Sequence, residues 1–292
     1  MIEVTKALSM SPLAQQWLKH SQFATVLHIF KPASNLVNAE GQILSMVNPR
    51  IGNGPFSVVL DIPDFTELLE VDSKIIVDAF SIFVGSLVID VSDAQVWKPQ
   101  PDWEQVRAHQ QTISSYAGTI HEALLQEAPK DSIALFVIGQ AEQSQMNKLL
   151  QRKSLLGVEA ITGALQSLDA TELGEAARIL AGLGPGLTPA GDDFLIGIMH
   201  ALWALLPEEN ASLISKQIAN IAVPRTASIS ANWLEAAARG EAGETWHALF
   251  DAMLAREQEQ VEAAILRILP TGHTSGADAL AGFIHTLEVF DI

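Results

Sequence analysis

The spacing of apolar residues changes once along this chain, and that change constrains the fold more than any single motif. From Phe23 to about Trp97 the apolar residues come in short runs: FATVLHIF, PFSVVLDI, KIIVDAF and IFVGSLVIDV. They are rich in β-branched and aromatic residues and are separated by turn formers, which is the pattern of strands. LVNAEGQILSMV reads as a hairpin with Asn38-Ala39-Glu40-Gly41 as its turn. Strands this short and this closely punctuated suit an antiparallel sheet or a small barrel. The segment KPQPDW, from Lys98 to Trp103, carries two prolines in six residues and reads as a linker.

Beyond it the spacing becomes helical. WEQVRAHQQTISSYAGTIHEALLQEAP places Val106, Ile113, Tyr116, Ala117, Ile120 and Leu124 near one face and stops at Pro129. SIALFVIG, 132 to 139, is too short for periodicity to decide between strand and helix. Helical patterns then run to the last residues. The expected fold is α+β: a β-rich N-terminal domain over 1–100, then a larger, mainly helical domain over 101–292.

Composition narrows the chemistry. The 292 residues are 48% hydrophobic, enough for one large domain or two. The net charge is −17 and no basic run occurs, so nucleic acid is a poor partner. With no cysteine, a thiolate metal site and a cysteine nucleophile are excluded. The first twenty residues lack a basic stretch followed by an apolar one, so no signal peptide is expected there. Apolar segments stop well short of about 18 residues, so no membrane span is expected. The expected location is cytoplasmic. No paired His at metal spacing occurs, so no metal site and no cofactor are expected; a divalent cation stays open only through the loop chemistry below.

GLGPGLTPAGDD, residues 182 to 193, is the densest motif. Ala176, Ala177, Ile179 and Leu180 look like the end of a helix that Gly182 stops. Gly184-Pro185-Gly186 is a tight turn. Thr188-Pro189 reads as the cap and first residue of a helix that ends at Pro207. That helix is apolar nearly all round and is expected to be buried. Free amides at Gly184, Gly186, Leu187 and Thr188, together with the helix dipole, suit an anion. Asp192 and Asp193 oppose one, by about 1 kcal/mol at 4 Å in water. Two arrangements escape the conflict: the carboxylates accept from an amide-like –NH2, or they share a cation with the anion. A loop followed by a capped helix, with acids in its first turn, is the plainer account.

Two further polar islands interrupt the helical region. In VPRTASIS, Arg225 can clamp a carboxylate or phosphate, with Thr226 and Ser230 on the same surface. The alternative is a surface arginine, with Thr226 or Ser228 capping the next helix. In TGHTSGADALAGF, His273 can act as a general acid or base, and Thr274 and Ser275 supply hydroxyls. Ser275 with Asp278 also fits a helix cap with an acid at its third residue. In NPRIGNGPF, Asn53 can present an amide, although a hairpin turn is the simpler account.

GLGPGLTPAGDDFLIG, PRTASISANWLEAAARGE and GHTSGADALAGF together, in this order and spacing, resemble the AllH-type family. This was formerly a domain of unknown function, and it includes a subunit of bacterial oxamate carbamoyltransferase from anaerobic allantoin breakdown. The resemblance covers about 110 residues strongly and the N-terminal part loosely. It implies a subunit of a hetero-oligomeric enzyme, working with other subunits, that converts oxalurate and phosphate to oxamate and carbamoyl phosphate. The S-T-R-T-R phosphate motif of ordinary transcarbamylases is missing, so the site differs from theirs. No catalytic residues are carried over from the family. On the physical reading the loop cradles the anion, and Arg225 pairs with carboxylate or phosphate. His273 serves the oxyanion or leaving group, and Asp192 or Asp193 accepts from –NH2. The rival readings are a non-catalytic scaffold subunit and a stand-alone protein that binds small carboxylates or phosphate.

Overall fold

A computed structural model of the chain describes residues 3–85 and 87–290. The chain divides into two compact units, Met1–Pro99 and Gln100–Ile292.

The first unit is a closed β-barrel. Its strands are β1 (Glu3–Met10), β2 (Phe23–Phe30), β3 (Ala33–Asn38), β4 (Ile43–Val47), β5 (Ser57–Leu60), β6 (Lys74–Val77), β7 (Ser81–Val84), β8 (Leu87–Asp90) and the short β9 (Gln95–Val96). The order β5-β4-β3-β2-β6-β7-β8-β1 returns on itself through a β1–β5 pairing, so eight strands close the cylinder, and β9 adds to β1 beyond the end of β8. Side chains alternate along each strand, so every second residue points inward. Leu36, Leu44, Val58, Leu60, Ile75, Ile82 and Ile89 are wholly buried there.

The expected hairpin at Asn38–Gly41 joins β3 to antiparallel β4; Gly41 has φ +77°, and its amide bonds to the Asn38 carbonyl. Two other features depart from the sequence expectation. The sheet is mixed, because β1 pairs with β8, and β4 with β5, in parallel. The segment 48–56 is therefore a connection between parallel neighbours and not a hairpin turn. A helix also interrupts the strands: α1 (Pro12–His20) is capped by Ser11 with Pro12 at its first position, and its Ala14, Trp17 and Leu18 join the barrel core.

The second unit is helical. It contains α2 (Trp103–Ala108), α3 (Gln110–Ser115), α4 (Ala117–Glu127), the single turn α5 (Ala134–Val137), α6 (Lys148–Ser167), α7 (Ala170–Leu180), α8 (Ala190–Leu205), α9 (Glu208–Ala222), α10 (Ser228–Ala238), α11 (Glu244–Ala255), α12 (Gln258–Ile268) and α13 (Ser275–Phe290). The pattern from Trp103 to Pro129 is three helices broken at His109 and Tyr116, not one. SIALFVIG contains a helical turn.

Helix α8 is the axis of this unit, and all sixteen of its residues are buried. Its closest neighbour is α13. A Cβ at Gly197 would overlap the Ala279 carbonyl oxygen, and one at Gly282 would overlap the Phe194 carbonyl oxygen. Two glycines thus let the helix backbones touch. The contacts advance in the same sense along both chains, from Thr188 beside Ser275 to Gly197 beside Phe283, so the helices run parallel and their N-termini lie together. Around the far half of α8, Trp103, Trp203, Trp246, Phe250 and Phe283 pack ring against ring; the Trp103 and Trp203 indoles donate to the Gly240 and Ala237 carbonyls.

Candidate anion site at two helix N-termini

The glycine loop begins where α7 ends. Gly182 has φ +69°, as a helix stop requires, and a Cβ there would strike the Arg225 carbonyl oxygen. Gly184 has φ +123°, and a Cβ at it would lie 2.9 Å from the Ala190 amide nitrogen, so only glycine lets the loop fold over the start of α8. Gly191 donates to the Leu183 carbonyl at 2.8 Å, which fixes the loop against the first turn. The helix starts at Ala190 with Pro189 at the cap position and no side-chain cap. Thr188 is therefore not the cap that the sequence suggests. Its hydroxyl lies 2.9 Å from the Ser275 hydroxyl, at the start of α13.

Asp192 is wholly buried and joins two of the three polar islands. Its Oδ1 accepts from the Gly182 amide at 2.8 Å, and its Oδ2 accepts from the hydroxyls of Thr226 and, at 2.7 Å, Ser230. Burial pushes its carboxyl above the usual carboxylate range, and these bonds pull it back. The anion held by the Gly182 amide is thus the protein's own carboxylate. Among the described residues, the amides of Gly184, Gly186, Leu187 and Thr188 donate to no backbone carbonyl.

Asp193 has a different environment. It is almost fully buried, and its Oδ2 has no hydrogen-bond partner. Burial, then the nearby charge of Asp278, push its carboxyl well above the ordinary range; the Ser275 and Thr188 hydroxyls oppose this. Burial of this kind favours the neutral form of the Asp193 carboxyl over the charged one. Asp278, in the first turn of α13, is also buried. Its Oδ1 accepts from the Ser132 hydroxyl at 2.6 Å and the Ile133 amide at 2.7 Å, while its Oδ2 has no partner. Burial raises it to about 7 against the bonds from Ser132, Thr274 and the backbone. It reaches across to the 132–133 segment as well as to the Thr274 hydroxyl just before its own helix.

The remaining sequence candidates lie outside this cluster. The His273 ring is 78% exposed and meets the Asp131 carboxylate at 2.9 Å, next to the Ser132–Asp278 bond. The Arg225 guanidinium is exposed and donates back to the Ile221 carbonyl in the last turn of α9 at 2.5 Å. Asn53 belongs to the barrel unit, where it accepts from the Ser9 hydroxyl at 2.6 Å. The sequence reading missed Ser132 and understated Asp278; an acid at the head of the otherwise apolar GADALAGF was the available signal.

No group of three or more His, Asp or Glu suited to a metal ion occurs among the described residues. No helix among them is long and apolar enough to cross a membrane. An open groove of about 440 Å³ lies between α6 and α7. It is rimmed by Glu159, Glu172 and Glu175, so it repels anions and is not this site.

Residues 180–287 match the family model described as oxamate carbamoyltransferase subunit AllH, and residues 6–96 match the AllH family N-terminal domain. The chain belongs to the AllH family. The C-terminal AllH match contains the loop, Thr226, Ser230, Ser275 and Asp278, and so nearly the whole cluster; the N-terminal match spans the barrel. No solved structure matches the chain.

Proposed function

We propose that this AllH-family chain is a subunit of a carbamoyltransferase that interconverts oxalurate plus phosphate with oxamate plus carbamoyl phosphate, in a pathway of purine catabolism, and that the paired starts of α8 and α13 bind the anionic group. One observation carries the reading: the Thr188 and Ser275 hydroxyls meet beside Asp193, whose buried Oδ2 lacks a partner.

Two parallel helices bring two positive dipole ends to one place, where negative charge is favoured. The unused loop amides and the two hydroxyls supply donors. The conflict between an anion and the two aspartates disappears in this arrangement. The charge of Asp192 is spent on three internal bonds, and the burial that raises the Asp193 carboxyl favours its neutral form, which can donate instead of repel. Such an acid can hydrogen-bond an oxygen on which charge develops during carbamoyl transfer. Arg225 and His273 are exposed, next in sequence to Thr226 and Thr274, and are secondary in this reading.

The test is turnover by the enzyme reconstituted from all its subunits. Asp193→Ala and Ser275→Ala should each lower kcat/KM by about 100-fold or more while the complex still assembles. Turnover near wild type in both would refute the assignment. A scaffold role is favoured by the fact that the Asp192 carboxylate is already saturated. Calorimetry with phosphate, oxamate and oxalurate on the isolated chain separates the two: a scaffold binds none of them.

A further inference from the structure

Helix α6 presents one straight stripe to solvent. Leu149, Arg152, Leu156, Glu159 and Gly163 follow one another at alternating spacings of three and four, so they share a face. All five are exposed, Leu149 and Leu156 at 63% and 47%. Single exposed leucines are ordinary on a surface, but two on one stripe beside an open groove are not. The groove between α6 and α7 continues the stripe, with Ala160, Gly163, Ala176 and Ile179 along its floor.

Charge divides this helix in two. Its cations, Lys148, Arg152 and Lys153, all lie in the first two turns, and its one acid, Glu159, lies beyond Leu156. None of the four forms an ion pair or a side-chain hydrogen bond among the described residues. Arg152 and Glu159 are a heptad apart and share one edge of the stripe. Lys153 stands on the other edge, one turn before Gly157, which touches Leu180 of α7. The α7 rim carries Glu172 and Glu175; Arg178 pairs with Glu175, which leaves the rim acidic by one charge.

We infer that α6 pairs antiparallel with α6 of a second copy, about a two-fold axis passing beside Leu156. Leu149 and Gly163 lie one heptad on either side of Leu156. The axis therefore sets the Leu149 side chain of each copy over Gly163 of the other, where a Cβ would meet nothing and the space is open. It brings Arg152 of each copy to Glu159 of the other on one edge, and turns Lys153 toward the acidic α7 rim on the other edge. A parallel pairing would lay the cations on one another and Glu159 on Glu159. Charge thus selects the antiparallel arrangement, and the small residues of the groove supply the hole for its leucine.

The chain has no cysteine, so single cysteines report the pairing directly. Under mild oxidation Leu156→Cys cross-links to itself. Leu149→Cys does not, because its two copies stand about 20 Å apart, but it cross-links to Gly163→Cys when the two variants are mixed. In sedimentation equilibrium of the full chain the wild type is a dimer. Arg152→Glu and Glu159→Arg each weaken it by about tenfold, and the double exchange restores it. Gly163→Trp abolishes it while circular dichroism stays that of the wild type, since the added side chain meets nothing at its root in its own chain. A monomeric wild type, a Leu149→Cys chain that cross-links to itself, a Gly163→Trp chain that dimerises normally, or a double exchange without rescue would each overturn the proposal. A groove covered by another subunit leaves the isolated wild type monomeric and overturns it in the same way.

Discussion

Replacing Asp278 by asparagine should make the helical unit more stable at alkaline pH. In the folded chain this carboxyl titrates at about 7 because it is buried, against 3.8 in its ordinary state. A group whose folded value is raised gives stability that is fully present below the unfolded value and is lost as pH rises through the folded one. The full loss is about 4 kcal/mol, of which about 2.5 kcal/mol falls between pH 5 and pH 8. Asparagine keeps the acceptor for Ser132 and Ile133 and places an –NH2 where Oδ2 had no partner. It also removes the charge that raises Asp193, which adds to the difference. Urea unfolding followed by tryptophan fluorescence at the two pH values gives the comparison. The advantage of the variant over the wild type should grow by about 2.5 kcal/mol from pH 5 to pH 8. A variant with the same pH slope as the wild type would show that Asp278 does not titrate in this window, and the reasoning would fail.

Three further expectations follow from the same geometry. Gly197→Ala forces a Cβ into the Ala279 carbonyl oxygen, so it should cost about 3 kcal/mol in chemical denaturation. Asp192→Ala leaves the Gly182 amide and two hydroxyls without their acceptor and should cost about 2–3 kcal/mol by the same measurement. Burial lowers His200 to about 3 and His285 to about 4. Their contribution is complete above 6.5 and is lost as pH falls through those values, so His285→Gln should move the acid-unfolding midpoint, read by circular dichroism, to lower pH.

The sequence carried the features set by local chemistry. Gly182 adopts the left-handed conformation expected of a helix stop, α8 ends just before Pro207, and the α8 pattern, apolar all round, belongs to a buried helix. Helix α1 was also legible in principle, since Ser11-Pro12 is a cap and first residue, but nine residues among strands hid it. The parallel β4–β5 pair was not legible, because strand direction is set by distant partners and leaves no mark on a strand's own residues. The same limit applied at the site. Spacing identified Asp192 and Asp193 as a pair but could not say that one would be consumed internally and the other left without a partner. That difference depends on Thr226, Ser230, Ser275 and Asp278, which only the helix packing brings near. The exposure of Arg225 and His273 was hidden for the same reason.

Strand β1 has a consequence for how the chain is made. Its two edges are taken by β5 and β8, so residues 3–10 find their lasting partners only after residues 57–60 and 87–90 have left the ribosome. At about 5–20 residues per second, the leading segment spends about 5–15 s without them. The last gap in the cylinder is closed by the first of its strands to be synthesised.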